Sequence, residues 1–270
     1  MIKKIIIYLR KINKLKDLIN RILSFLEIRY YVIIYYIKIK KYAPWEIKSY
    51  LRMKSFFRQF VNKGDLIFDV GADGGRFTTN FFNMGAKVIS IEPQKKSFKK
   101  LHERFSKSKK VILECKALGE KSGYETIYIC EEAANITTLS DKWRTKGRFS
   151  EKFEWKKTEN IKISTLDQLI NQYGLPKFCK IDVEGYEFNV LKGLTMKIPI
   201  ISIEYTKEFL NDAEKCLNHL KSLGKLRLNY ISREDFSFKL AKWTNQKKLL
   251  EILNQEPDDL AWGDIYIKTH

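Results

Sequence analysis

The sequence predicts an α/β domain built on a doubly wound parallel sheet, and three observations carry that reading. From Asp65 onward, short apolar runs alternate with segments of helical periodicity, the pattern of strands joined by crossover helices. The first run, Leu66-Ile67-Phe68-Asp69-Val70, leads into Gly71-Ala72-Asp73-Gly74-Gly75, after which Phe77, Thr78, Phe81 and Phe82 resume at helical spacing. Two later runs end in acids, residues 88–91 in Glu92 and residues 178–181 in Asp182. Carboxylates are thereby delivered to the sheet edge where open α/β folds bind ligands.

At 270 residues the chain holds one large α/β domain and an extension. Its formal charge of +19 is uneven: residues 1–60 carry 15 Lys/Arg against 3 Asp/Glu, a net +12, so the basic character belongs mainly to the N-terminal segment. Over residues 2–27, Ile2, Ile5, Ile6, Leu9, Ile12, Ile19, Ile22, Leu23 and Leu26 share one face, with most of the lysines off it. Such a helix suits packing on the body or a partner first, and an anionic membrane surface second. The chain is read as a basic helical extension, residues 1–62, followed by the sheet domain, residues 63–270. The run after Lys4 is too short for a signal peptide, and no uncharged stretch here approaches the roughly 20 residues that span a bilayer. Cys115, Cys130, Cys179 and Cys216 are widely separated and read as reduced core residues. The expected location is the cytoplasm, with residues 1–40 offering a peripheral contact to the inner membrane face.

Taken in order, a helix is expected over residues 45–61, then the first strand and the glycine turn. The second strand (88–91) precedes a helix over 95–105 with Phe98, Leu101 and Phe105 on one face. A third strand covers 111–116, and Ala117-Leu118-Gly119 after it sits where adenine lies in such folds. Residues 124–130 alternate as an extra strand. Residues 131–160 lose core periodicity and read as a functional lid, with Asn135, Thr137, Thr138, Trp143 and Arg148 as its acceptor-facing residues. After a short strand (161–164), Thr165-Leu166-Asp167-Gln168 is a capping box opening a helix to Tyr173, with Asp167 a first-turn acid. Residues 178–181 are the fourth core strand. Residues 200–203 follow, ending in Glu204, then a helix over 209–223 and strands over 226–231 and 264–268. The Lys/Asn-rich residues 239–254 between those last strands suit a hairpin-like return.

The turn needs glycine for unusual dihedrals and for close approach of a ligand, and the helix after it presents free N–H groups. Glu92 stands 21 positions after Gly71, where an acid binds ribose hydroxyls in this fold class. The order Gly71-x-x-Gly74-Gly75 does not fit the dinucleotide spacing G-x-G-x-x-G. An acid two positions before the first glycine and no phosphate-binding pattern suit a cofactor of ribose, adenine and an amino acid, S-adenosylmethionine. The candidate cofactor residues are Asp69, Gly71, Ala72, Asp73, Gly75, Glu92, Pro93, Ala117, Leu118 and Asp182.

A second cluster, Lys180-Ile181-Asp182-Val183-Glu184-Gly185-Tyr186-Glu187, puts three carboxylates at a strand's carboxyl end. Methyl transfer to a hydroxyl needs an in-line approach and a base for the hydroxyl proton. Asp182 is the best-placed base or orienter. Glu184 assists, since crowded carboxylates raise one another's pKa, and Glu204 arrives at the same edge. Glu187 fits better as a helix-terminus acid. The converging oxygens could also hold a divalent cation, magnesium or calcium, although spacing alone assigns no metal ligand.

With both clusters in view, the sequence resembles the FkbM family of S-adenosylmethionine-dependent methyltransferases. The resemblance rests on residues 68–75 with Phe77-Thr78, Ile91-Glu92-Pro93, residues 117–119, Thr165-Leu166-Asp167, residues 180–187 with residues 190–193, and Ile203-Glu204, about residues 64 to 205 in all. It implies a Rossmann-like class I methyltransferase sheet, seven-stranded with the last strand antiparallel, and O-methylation of a sugar, glycan or secondary metabolite. Asp69, Gly71 and Glu92 match its cofactor positions, and Asp182 and Glu184 its acidic motif. Asp73 departs from the family's usual Asn, and the basic N-terminal residues lie outside the resemblance. The competing reading is a nucleic-acid (RNA) methyltransferase that grips phosphates with the basic arm. No Asn/Asp-Pro-Pro-Tyr motif of base methylation supports it.

Overall fold

The computed structural model describes residues 44–270; the amphipathic helix expected over 2–27 lies outside the described residues. The chain divides into two compact units, Met1–Ser55 and Phe56–His270. The described part of the first unit, residues 44–55, belongs to helix α1 (Pro44–Phe57). Pro44 occupies the first helical position, where its missing N–H is no loss.

The second unit is organised around a seven-stranded sheet of order β3-β2-β1-β7-β8-β10-β9. Its strands are β1 (Leu66–Val70), β2 (Lys87–Ile91), β3 (Val111–Glu114), β7 (Phe178–Ile181), β8 (Ile200–Thr206), β9 (Leu226–Tyr230) and β10 (Trp262–Thr269). All neighbours are parallel except β10, which runs antiparallel between β8 and β9. This is the Rossmann-like class I methyltransferase sheet, last strand reversed. The helices are α2 (Arg76–Asn83), α3 (Lys95–Phe105), α5 (Leu166–Tyr173), α6 (Glu187–Lys192), α7 (Leu210–Leu223) and α8 (Gln246–Asn254), with the short α4 (Asp141–Lys146) between β5 and β6. A second sheet of order β4-β6-β5 joins Ala117–Leu118, Lys157–Ser164 and Gly123–Ile129. The extra strand expected near residue 124 therefore pairs outside the main sheet.

Strand alternation divides the core by chemistry. One face is aliphatic: Phe68, Val70, Ile181, Ile203 and Ile265 pack against Leu169 of α5, Val190 of α6, Leu217 of α7 and Leu249 of α8. The other is aromatic, with Phe178, Phe60 and Tyr266 stacked at interplanar angles of 9° and 14°. Toward the carboxyl edge the same pleat turns polar. Register pairs Ser90 with Asp69, Asp69 with Lys180 and Lys180 with Ser202, a row across four strands, and places Asp264 opposite Glu204.

Two expectations change. β10 does return antiparallel beside β9, but the connecting residues 239–254 contain α8, whose Asn245 side chain accepts from Lys248 N and which buries Leu249 and Leu253 one turn apart. Residues 131–156 are not irregular throughout. They enclose a small core of Cys130, Ile136, Trp143 and Trp155, with Trp155 Nε1 donating to Ile136 O at 2.9 Å and Ser140 capping α4. Among the described residues, no helix is long and apolar enough to cross a membrane.

Candidate active site

The carboxyl ends of β1, β2, β7 and β8, covered by residues 134–149, enclose a cavity of about 420 Å³, within the range of small-molecule sites. The glycine turn forms its floor. Gly71 has φ +80°, and a Cβ there would lie 1.8 Å from the carbonyl oxygen of Asp182. A Cβ on Gly75, at φ +84°, would meet Leu101 of α3 at 2.6 Å. The glycines are thus demanded by the protein's own packing: one lets β1 and β7 close together at the sheet edge, the other seats α3. The turn's N–H groups are also spent internally, Gly71 and Ala72 on Ile91 O and Asp73 on Glu92.

Gly71, Ala72, Asp73, Glu92, Pro93, Ala117, Leu118, Asp182, Glu184 and Glu204 all line the cavity; Asp69 and Gly75 do not. Asp69 stands off the cavity wall. It is fully buried behind the turn, its Oδ2 accepting from Thr78 Oγ1 at 2.5 Å and its Oδ1 without a partner. Strand alternation turns it toward α2 rather than the ligand, and burial raises its pKa against the pull of Lys180. Gly75 acts through helix packing, not through the cavity wall.

Glu92 is buried at the wall, its Oε2 accepting from Asp73 N at 2.8 Å and its Oε1 from Gln94 N at 2.7 Å. Both oxygens keep lone pairs for hydroxyl donors. Desolvation outweighs these bonds and pushes its pKa up to about 8. With Ile91, Pro93, Leu118 and Ile136 as apolar neighbours on the wall, this end fits a ribose diol and an adenine ring.

The opposite end is acidic. Asp182, Glu184 and Glu204 each present a carboxylate oxygen, and these lie within 4.8 Å of one another. Burial first, then neighbouring carboxylates, raises the pKa of Glu184 and Glu204 well above the carboxylate range, and burial takes Asp264 up to about 7. One cation answers them from inside: Lys180 Nζ, 2% exposed, donates to Asp182 Oδ2 at 2.6 Å and lies 4.2 Å from the Phe77 ring centroid. Sequence reading passed over Lys180 and Asp264. The available signal was a lysine inside the otherwise apolar run of β7, a place lysine takes only when paired.

Glu187 has the supporting role expected of it, accepting from Val183 N at 3.0 Å and Gly185 N at 3.3 Å. The turn it braces is strained, with Glu184 at φ +55°. The covering segment holds the same turn from outside, through Thr138 Oγ1 to Glu184 O at 2.7 Å and Trp143 packed so closely that a Cβ on Gly185 would meet it at 3.2 Å. All five residues singled out in this segment, Asn135, Thr137, Thr138, Trp143 and Arg148, line the cavity. Arg148 pins the segment down, pairing with Glu208 and donating to Leu260 O at 2.8 Å.

Sheet order, glycine turn, the buried acid after the second strand and the acidic motif together define an S-adenosylmethionine-dependent methyltransferase. The chain matches the family model described as the methyltransferase FkbM domain over residues 69–237 and belongs to that family. It is also similar to the hexuronic acid methyltransferase AglP of Haloferax volcanii, 25% identical over 201 residues, which cover 71% of this chain and 78% of that protein. Among solved structures it is similar to precorrin-6y C5,15-methyltransferase from Geobacter metallireducens (10% identity, 86% of this chain and 92% of that chain, TM-score 0.43). It is likewise similar to a Streptococcus mutans protein in complex with SAH (11% identity, 80% and 95%, TM-score 0.43).

Proposed function

We propose that this methyltransferase acts on oxygen, transferring the methyl group to a hydroxyl of a saccharide, with hexuronic acid residues the leading acceptor class. The observation that carries the reading is Asp182: its Oδ2 is held by Lys180 while Oδ1, which makes no hydrogen bond among the described residues, belongs to a side chain on the cavity wall. A base so placed takes the proton of a hydroxyl as it attacks. S-adenosylmethionine, when bound, supplies the methyl on a sulfonium. Glu92 would hold its ribose hydroxyls, with the backbone of Gly71, Ala72 and Asp73 and the side chains of Pro93, Ala117 and Leu118 lining the rest of its seat. Glu184 and Glu204, whose pKa burial raises, would hydrogen-bond neighbouring acceptor oxygens. Asp182 Oδ1 would take the proton of the hydroxyl that attacks the methyl. Trp143, Phe149 and Trp262 on the wall suit the apolar face of a sugar ring, and the resemblance to AglP supports the acceptor class. In this reading residues 63–270 are the catalytic unit and residues 1–62 a basic extension suited to an anionic membrane face.

The test is to incubate the chain with S-adenosylmethionine and either methyl β-D-glucuronide or methyl β-D-glucoside, reading methyl ether formation by mass spectrometry and NMR. A methyl ether on the glucuronide is expected. Methylation of RNA with neither sugar modified would overturn the proposal.

A further inference from the structure

The polar row on the sheet's aromatic face contains a lysine for which binding a ligand gives no reason. Lys180 does not line the cavity. It is 2% exposed, between Phe178 and the acidic turn, on a strand whose other residues are wholly apolar. Burying an ammonium is costly unless the cation is paired and hydrogen-bonded. Here the charge is compensated from several sides: Asp69 is its register partner on β1, Asp182 accepts its hydrogen bond, and Asp264 approaches from β10. The Phe77 ring closes another side at 4.2 Å. Burial lowers the lysine pKa, but these carboxylates outweigh it, so the group stays an ammonium.

The consequence falls on Asp182. It stands beside Glu184 and Glu204, a carboxylate oxygen of each lying within 4.8 Å of the others. Only Asp182 receives the lysine's hydrogen bond. Its Oδ2 is therefore fixed, and its Oδ1 is the oxygen left to face an acceptor.

We propose that Lys180 is a positioning residue that acts through Asp182: its buried ammonium holds Oδ2 of that carboxylate and so orients Oδ1 toward the attacking hydroxyl. This rests on the reading of Asp182 as the base. Lys180 neither gains nor loses a proton during transfer; the hydroxyl proton ends on Asp182.

The test is a double-mutant cycle on the full chain, Lys180→Met, Asp182→Asn and both together, with methyl β-D-glucuronide as the acceptor probe. Lys180→Met is expected to lower kcat about 100-fold with KM within about threefold and unchanged S-adenosylhomocysteine affinity. In the Asp182→Asn background the same lysine change should cost less than about threefold, because nothing is left to orient. The double variant, which removes both buried charges, keeps the cycle readable if Lys180→Met alone fails to fold. Equal losses in both backgrounds would overturn the proposal. A second arm needs no acceptor, so its result is distinct from any failure of the acceptor assignment. A slowly exchanging Lys180 ammonium signal in 15N NMR at neutral pH is expected in the wild type and absent in Asp182→Asn. A signal absent from the wild type, or unaffected by the substitution, would equally refute it.

Discussion

The two ends of the cavity are built on opposite principles. The cofactor end is made of backbone: a turn whose N–H groups are spent internally, glycines demanded by close packing, and Glu92, clamped by two N–H donors. The acidic end is made of side chains in a poorly solvated space, with Lys180 as its internal cation. One end is set by backbone packing, the other by how its carboxylates are held. Changes at the first should therefore show up in folding and cofactor affinity, and changes at the second in turnover.

Asp182→Ala gives the largest expected effect, a loss of kcat of about 1,000-fold or more with S-adenosylhomocysteine affinity by calorimetry unchanged. A matching drop in affinity would erase the distinction between the two ends. Next is Gly71→Ala. With a left-handed backbone and the Asp182 carbonyl 1.8 Å from the added Cβ, it should destabilise by about 3 kcal/mol or more, read by denaturant unfolding. Third is the pH dependence of stability. The folded pKa of Glu92 is raised from 4.5 to about 8, so its contribution is fully present below about 4.5 and is lost as pH rises through about 8. The Tm of the cofactor-free chain should fall across that window, and Glu92→Gln should flatten the fall by about 4 °C or more. The smallest is Thr138→Val, which removes the bond to Glu184 O at about 1 kcal/mol. It should raise KM for the acceptor while leaving cofactor affinity intact.

The same contrast explains what was legible in the sequence. Glycine spacing, the acid after the second strand and the capping box are local signals, and the structure puts Gly71, Glu92 and Thr165 in those local settings. Asp69 read as a ligand contact because its distance from the glycines is a pattern of position. Which side of the pleat it takes depends on Thr78 and on β7, neither of which spacing encodes. Lys180 and Asp264 are invisible for a related reason: each matters through a register partner on another strand. Residues 239–254 were misjudged because lysine and asparagine density hid a nine-residue helix with only two buried leucines.

The contact between Gly71 and the carbonyl of Asp182 has one further implication. That junction sets how closely the carboxyl ends of β1 and β7 approach, and with it the spacing between the glycine turn and the acidic end of the cavity, so a side chain at position 71 would be felt at both ends at once.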